Sequence, residues 1–269
     1  MTELRGKRVT NERLAVLNLP KLQQLHLLGT SITDEGMAVL AEAVNLREVL
    51  IDSQLITDRS MEVLCALPQL VSLFLDEVPL ITDAGVAHLQ RRTELRELRL
   101  KGTHLSDRGV RSFTHLQGLW SVGLSKTLVT DRGVADLAAM RKLSLLSLDD
   151  TVVVGDGLCS LPVGNQISIY LDNCPVTDAA VIAFCQHLID LKDLSLLGTP
   201  ITDRCLPALA SLPRLEMLRL TKTAVTDAGI ESLIGHPSLS TIEVCETAVS
   251  EEAKKKLKAA SPHDLTVIR

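Results

Sequence analysis

Rings are what this chain has least of: three Phe, one Tyr and one Trp in 269 residues. Its core must therefore be aliphatic, and leucine dominates it. Cysteine is sparse and scattered, at Cys65, Cys159, Cys174, Cys185, Cys205 and Cys245, with no CxxC pair and no disulfide framework. Such spacing excludes a zinc ribbon and points to free thiols in a reducing compartment, the cytoplasm. No stretch of eighteen apolar residues exists to span a bilayer. The opening "MTELRGKRVTNERLAVL" lacks an apolar secretory segment and a small-residue cleavage site, and Glu3 and Glu12 argue against an import presequence. A net charge of −5 gives no electrostatic case for nucleic acid or an anionic membrane. The seven histidines, His263 included, show no metal-ligand spacing with one another or with cysteine.

What is abundant is repetition. Asp34, Asp58, Asp83, Asp107, Asp131, Asp178, Asp203 and Asp227 recur every 23 to 25 residues once a degenerate copy at Gly155 is included; Asn11 begins the series and Glu251 continues it. A fixed period near 24 is the signature of a solenoid, in which each unit buries its apolar face on its neighbours. Within a unit the hydrophobic period switches. "LQQLHL", "LRELRL", "LKDLSL" and "LEMLRL" share L-x-x-L-x-L, whose last three residues alternate as a short strand. After Thr-Asp the spacing becomes three and four, as at Met37, Leu40 and Ala41, the inner stripe of a short helix.

The frame L-x-x-L-x-L-x-x-T-x-I-T-D-x-G resembles the leucine-rich repeat, in the variety close to the ribonuclease-inhibitor and cysteine-containing classes, as found in F-box-associated, bacterial and protist proteins. The resemblance covers residues 9–267. It implies an α/β solenoid, a curved horseshoe of about ten repeats with a parallel β-sheet on the concave face and short helices on the convex face. Residues 1–8 are expected to be a tail, 9–21 an N-terminal cap helix, 22–250 the repeats, and 251–269 a C-terminal cap helix and strand, all in one domain. The asparagine or cysteine usual after the strand is threonine in seven units, at Thr30, Thr103, Thr127, Thr151, Thr199, Thr223 and Thr247.

The Thr-Asp dyad sits where each helix begins, and either residue can accept one of the unpartnered N–H groups there, contributing about 1 kcal/mol per cap. Its small neighbour two positions on (Gly36, Ser60, Gly85, Gly109) lets the helix start lie close to the strand layer. Interchangeable copies argue against catalysis by any one of them. "GLSKT" at 123–127 lacks the glycine that a phosphate loop needs before lysine. Asp149, Asp150, Asp172 and Asp193 can approach one another across strands as a cation site or as a solvated acidic face, the latter being the plainer reading. In the unit at 151–165 the dyad is lost to Val154 and Gly155, and Pro162 interrupts the helix, so a shortened or 3₁₀ segment is expected, either drift or a partner notch. Lys254–Lys256 and Lys258 follow Glu251 and Glu252, the order the helix dipole favours.

With strand leucines inward, the alternating residues line the concave face: His26, Leu50, Phe74, Arg99, Gly123, Ser147, Tyr170, Ser195, Arg219 and Glu243. Strands about 4.8 Å apart make this face about 45 Å long. Phe74 and Tyr170 point outward in a chain nearly without rings, and Trp120 lies just before a strand. They read as anchors for a partner, or as cover for Leu50 and the backbone. Charge alternates along the face, with Asp76 near Phe74, then Arg99, Lys101 and Lys126, then Asp149 and Asp172 near Tyr170, then Arg219. These zones set the register of a partner or simply pair between strands.

No cofactor, metal or catalytic set is indicated. The resemblance implies a non-enzymatic module or scaffold presenting its concave face to a protein or peptide, alone or in a larger complex. The alternative it implies is a substrate receptor of a ubiquitin ligase, whose F-box is not found ahead of residue 9. A nucleic-acid role would rest on Arg99, Lys101, Arg108, Lys126 and Arg132, a patch two or three repeats wide.

Overall fold

Leucines two residues apart drive the architecture. In a computed structural model describing residues 1–262 and 264–268, Leu25, Leu27, Leu73, Leu75, Leu98 and Leu100 are all buried, while His26, Phe74 and Arg99 between them are not. His263 lies outside the described residues. The chain divides into two units, Met1–Val129 and Thr130–Arg269. In the first, β1 (Thr2–Arg5), β2 (Gln24–Leu28), β3 (Glu48–Asp52), β4 (Ser72–Asp76), β5 (Glu97–Lys101) and β6 (Ser121–Gly123) pair in chain order, all parallel. In the second, β7 (Leu145–Ser147), β8 (Ile167–Tyr170), β9 (Leu191–Ser195), β10 (Met217–Arg219), β11 (Thr241–Glu243) and β12 (Thr266–Ile268) do the same. Each unit is a leucine-rich repeat solenoid, strands on one side and helical turns on the other. Residues 2–5, expected as tail, instead form β1, because Leu4 falls opposite Leu27 and extends the sheet by one strand.

The helices are short because a repeat of this length leaves room for only two or three turns. They are α1 (Asn11–Ala15), α2 (Asp34–Met37), α3 (Asp58–Ala66), α4 (Asp83–Val86) and α5 (Asp107–Arg111) in the first unit. In the second they are α6 (Asp131–Asp136), α7 (Asp178–His187), α8 (Leu206–Ala210), α9 (Asp227–Glu231) and α10 (Glu251–Ala259). Several continue as, or are preceded by, a 3₁₀ turn, and the irregular unit has only a 3₁₀ turn over Asp156–Ser160. Pro162 ends that segment by withholding an N–H.

The Thr-Asp dyad divides its labour. Threonine or serine is the cap: Thr57, Thr82 and Ser106 accept from the backbone N–H two residues on, Ser250 from that three on. The aspartate starts the helix, and its carboxylate turns forward to the next repeat. Asp34 accepts from Thr57 N and Oγ1 at 2.9 and 2.7 Å, Asp58 from Thr82 at 2.7 and 2.7 Å, and Asp83 from Ser106 at 2.8 and 2.6 Å. Asp178 holds Thr202, Asp203 holds Thr226 and Asp227 holds Ser250 in the same way. Each of these caps is thus buttressed by the preceding carboxylate.

That geometry gives the small slot a different reason from close packing on strands. A Cβ on Gly85 would lie 2.3 Å from Asp58 Oδ1, one on Gly109 2.4 Å from Asp83 Oδ1, and one on Gly229 2.2 Å from Asp203 Oδ1. Ser60, in the same slot, donates to Asp34 at 2.5 Å. Ala180 fills it where Gly155 replaces the preceding aspartate; Cys205 beside Asp178 and Ala253 beside Asp227 are the exceptions.

Candidate functional site

Two features of the strand-to-helix turn fix the strand face. In six repeats the threonine after the strand closes its own turn: Thr103, Thr127, Thr151, Thr199, Thr223 and Thr247 donate to the carbonyl three residues back at 2.6 to 2.8 Å. The residue before it is left-handed in most repeats, at Glu77 (φ 53°), Lys126 (φ 55°), Asp150 (φ 57°), Asn173 (φ 58°), Lys222 (φ 59°) and Glu246 (φ 51°), with Gly29, Gly102 and Gly198 in the same position. A non-glycine residue there carries a steric cost, which neighbouring hydrogen bonds offset: Glu77 N donates to Lys101 O at 2.8 Å and Asp150 N to Asp172 O at 2.8 Å. No sequence pattern marks this row, since charged, amide and glycine residues share it.

In the first unit the sheet register places Glu3, His26, Leu50, Phe74, Arg99 and Gly123 in one row. Arg99 is the organiser. Its guanidinium lies 4.8 Å from the centre of the Phe74 ring and its Nε donates to Asp76 Oδ1 at 2.7 Å. A Cβ on Gly123 would sit 2.9 Å from Arg99 Cγ, so the glycine clears the space that the arginine stem occupies. Toward the N-terminal edge His26 Nε2 meets Glu48 Oε1 at 2.7 Å, and Gln24 donates to the other oxygen at 3.0 Å. Lys101 and Lys126 share Glu77, at 3.8 and 2.9 Å. Leu50 is half-buried beside Phe74. Trp120, 41% exposed, stands outside this row at the start of β6, where its N–H donates to Arg96 O at 3.0 Å.

The second unit repeats the arrangement with different residues. Ser147, Tyr170, Ser195, Arg219 and Glu243 form its row. Arg219 reaches across buried Ser195 to lie 5.8 Å from the Tyr170 ring centre, and its Nε donates to Glu243 Oε1 at 2.9 Å. Asp149 and Asp172 sit side by side: Asp149 accepts from Asp172 N at 3.0 Å and from Ser147 Oγ at 2.9 Å, while Asp172 accepts from Ser195 Oγ and from Leu197 N at 3.2 Å. Burial pushes the Asp172 carboxyl above its ordinary value, helped by the charge of Asp149 and opposed by those hydrogen bonds.

The four aspartates do not converge on a cation. Asp193 is turned to Ser168 Oγ at 2.7 Å and Asp150 to Asn173 Nδ2 at 2.9 Å. Among the described residues no group of three or more His, Cys, Asp or Glu side chains is placed to hold a metal ion. Nor is any helix among them long and apolar enough to cross a membrane. Several charges on these faces pair along them: Asp76 with Arg99, Glu77 with Lys101 and Lys126, and Glu243 with Arg219. The aromatic–arginine–acid triplets were missed, although an aromatic one repeat (Phe74, Arg99) or two repeats (Tyr170, Arg219) before an arginine in the same slot is visible in the aligned repeats.

A family model described as Leucine Rich repeat matches residues 18–41. No curated protein matches the chain. Among solved structures, an internalin (inlF) of Listeria monocytogenes is similar over 97% of this chain and 88% of that one, at 20% identity and a TM-score of 0.58. An internalin C2 (inlC2) of the same bacterium is similar over 79% of this chain and 83% of that one, at 20% identity and a TM-score of 0.57. At that identity the likeness is one of fold.

Proposed function

We propose that this leucine-rich repeat solenoid is a non-enzymatic interaction module, a scaffold that holds a protein or peptide partner against its strand face. The observation carrying the proposal is the pair of fixed triplets, Phe74–Arg99–Asp76 and Tyr170–Arg219–Glu243. Aromatic residues and arginine are the side chains that most often dominate binding energy. Here an acid holds each arginine beside its ring, so the rotamer freedom a partner would otherwise have to freeze is already lost. The residues on either side of each ring, Leu73 and Leu75, Ile169 and Leu171, are buried on the opposite side of the strand, so the rings themselves lie outside the core. A cytoplasmic setting belongs to the same proposal and is supported by six unpaired cysteines.

The test is affinity purification with the wild-type protein and with F74A/Y170A. Partners retained by the wild type should be depleted about tenfold or more by the double variant, a loss of about 1.4 kcal/mol or more, with unchanged circular dichroism. An identical retained set would refute the assignment.

A further inference from the structure

A second surface is built into the same repeats, away from the strand face. The residue just before the second apolar position of each repeat is Ser31, Leu55, Leu80, His104 and Leu128 in the first unit, and Val152, Pro175, Pro200, Ala224 and Ala248 in the second. Leu55 and Leu80 are 47% exposed, Leu128 59% and Val152 61%. Of the eleven large hydrophobic residues exposed among the described residues, four therefore fall in one slot. In the first unit, where most other leucines are buried, Leu55, Leu80 and Leu128 form a stripe rather than scatter.

The stripe of the first unit stands on a stiff base. His104 N donates to Ile81 O and Leu128 N to Leu105 O, both at 2.9 Å, and Thr82 pairs with His104 as a parallel bridge. From Leu80 through His104 to Leu128 these segments form a second short ladder beside the main sheet, so successive residues there are spaced like strands, about 4.8 Å apart. Along one side run the helix starts with exposed Arg59 and Arg108, and His104 and Arg108 line a shallow groove with Thr82 and Ala84. Of the acids near them, Asp34 and Asp58 accept from Thr57 and Thr82. Asp83, which lines the same groove, accepts from Ser106, and Glu35 lies toward Arg59.

We propose that Leu55, Leu80 and Leu128 form a docking stripe for an amphipathic helix of a partner protein, lying along the stack with an acidic flank toward Arg59, His104 and Arg108. An α-helix advances about 5.4 Å per turn. A helix in this orientation offers one apolar side chain per turn to each interval of the stripe, drifting about 2 Å over three intervals. Arg59 and Arg108 select acidic residues beside the apolar face. Three leucines in a line are far short of the roughly 800 Å² per partner of a standard protein–protein interface, which favours a helix over a second copy of this chain.

The probe is a fluorescent synthetic helix of about 18 residues, with one leucine per turn flanked by glutamates, read by anisotropy. Its controls are a shuffled peptide of the same composition and one with lysine in place of glutamate. The native order should bind saturably, and L55D/L80D should weaken binding at least tenfold. R59E/R108E should weaken it several-fold and favour the lysine peptide, while F74A/R99A on the strand face should leave it unchanged. Circular dichroism establishes that each variant is folded, with L55S/L80S substituted if the aspartates unfold the chain. Equal binding of the shuffled peptide, or binding indifferent to either leucine pair, would overturn the proposal. So would self-association in sedimentation that L55D/L80D abolishes, since the stripe would then be a contact between copies.

Discussion

Replacing Asp58 separates the two jobs of the Thr-Asp dyad. Its carboxylate accepts two hydrogen bonds from Thr82, both at 2.7 Å, from a position 2.3 Å from where a Cβ on Gly85 would stand. Bonds to a charged acceptor contribute about 1.5 to 3 kcal/mol each where water is excluded. Asp58 and Thr82 are half-buried, so water recovers part of the loss and D58A should cost about 2 to 3 kcal/mol. D58N should cost only about 1 kcal/mol, because an amide makes the same two contacts through neutral bonds. The first repeat already does this: Asn11 accepts from Thr33 N and donates to Thr33 Oγ1, both at 3.0 Å. G85A should cost part of what D58A costs, since its methyl would lie 2.3 Å from Asp58 Oδ1 and push it aside. Ala253 beside Asp227 shows that an alanine can coexist with both bonds where the backbone gives room.

The decisive variant is D58A/G85A. With the carboxylate gone the methyl's nearest contact is the Asp58 Cα at 3.1 Å, which a shift of a few tenths of an ångström relieves, so the double variant should be clearly less destabilised than the sum of the single ones. The chain makes this exchange itself, with Gly155 where an aspartate stands elsewhere and Ala180 in the slot that is usually glycine. Urea unfolding followed by circular dichroism, with free energies extrapolated at equal slopes, measures all four proteins. Strictly additive losses, or a D58A loss below about 0.5 kcal/mol, would refute the forward contact as the reason for the glycine.

Three further outcomes are expected. Restoring the dyad with G155D should destabilise by about 1 to 2 kcal/mol, because Gly155 sits at φ 105° and its new Cβ would lie 3.0 Å from Ala180 Cβ; thermal melts check this, and a gain in melting temperature would contradict it. Stability should fall in two acid windows. Burial holds the His236 imidazole below its ordinary value, so the unfolded chain takes up the proton first and stability declines as pH drops below about 6.5. Asp34 is held low although burial alone would raise it, because Ser60 and Thr57 donate to it, and Ser250 donates to Asp227; their contribution is present above the ordinary carboxylate value and is lost as pH falls through the lower folded values. H236Q should flatten only the first slope, and an unchanged slope would exclude His236 as its source. Thiol titration of the native protein at pH 8 should leave Cys174, Cys185 and Cys205 slow, since all three are buried and burial pushes the Cys185 thiol to about 12; six fast thiols would contradict the packing.

The repeat was legible because its determinants are local. A leucine pair two apart, a switch to three-and-four spacing and a cap-forming hydroxyl each act within one turn or strand, so Leu98-x-Leu100 and Ser106-Asp107 can be read in isolation. The middle row of the strand face followed for the same reason, since alternation alone places Phe74 and Arg99 outward. The strand at Thr2–Arg5 escaped notice because four residues with alternating Leu4 carry little pattern until β2 is there to pair with.

Sequence by itself thus determined the solenoid, its period, the inward leucines and the identity of the residues on its strand face. Tertiary structure alone decided where the carboxylates go, why glycine follows them and which arginine lies over which ring. Asp58 meets Thr82 and Arg219 meets Tyr170 across 24 and 49 residues of chain, and a pattern that repeats in every unit does not say whether a side chain serves its own repeat or a neighbour. Only the parallel stacking of strands, which sets like positions side by side at a single strand spacing, resolves that choice.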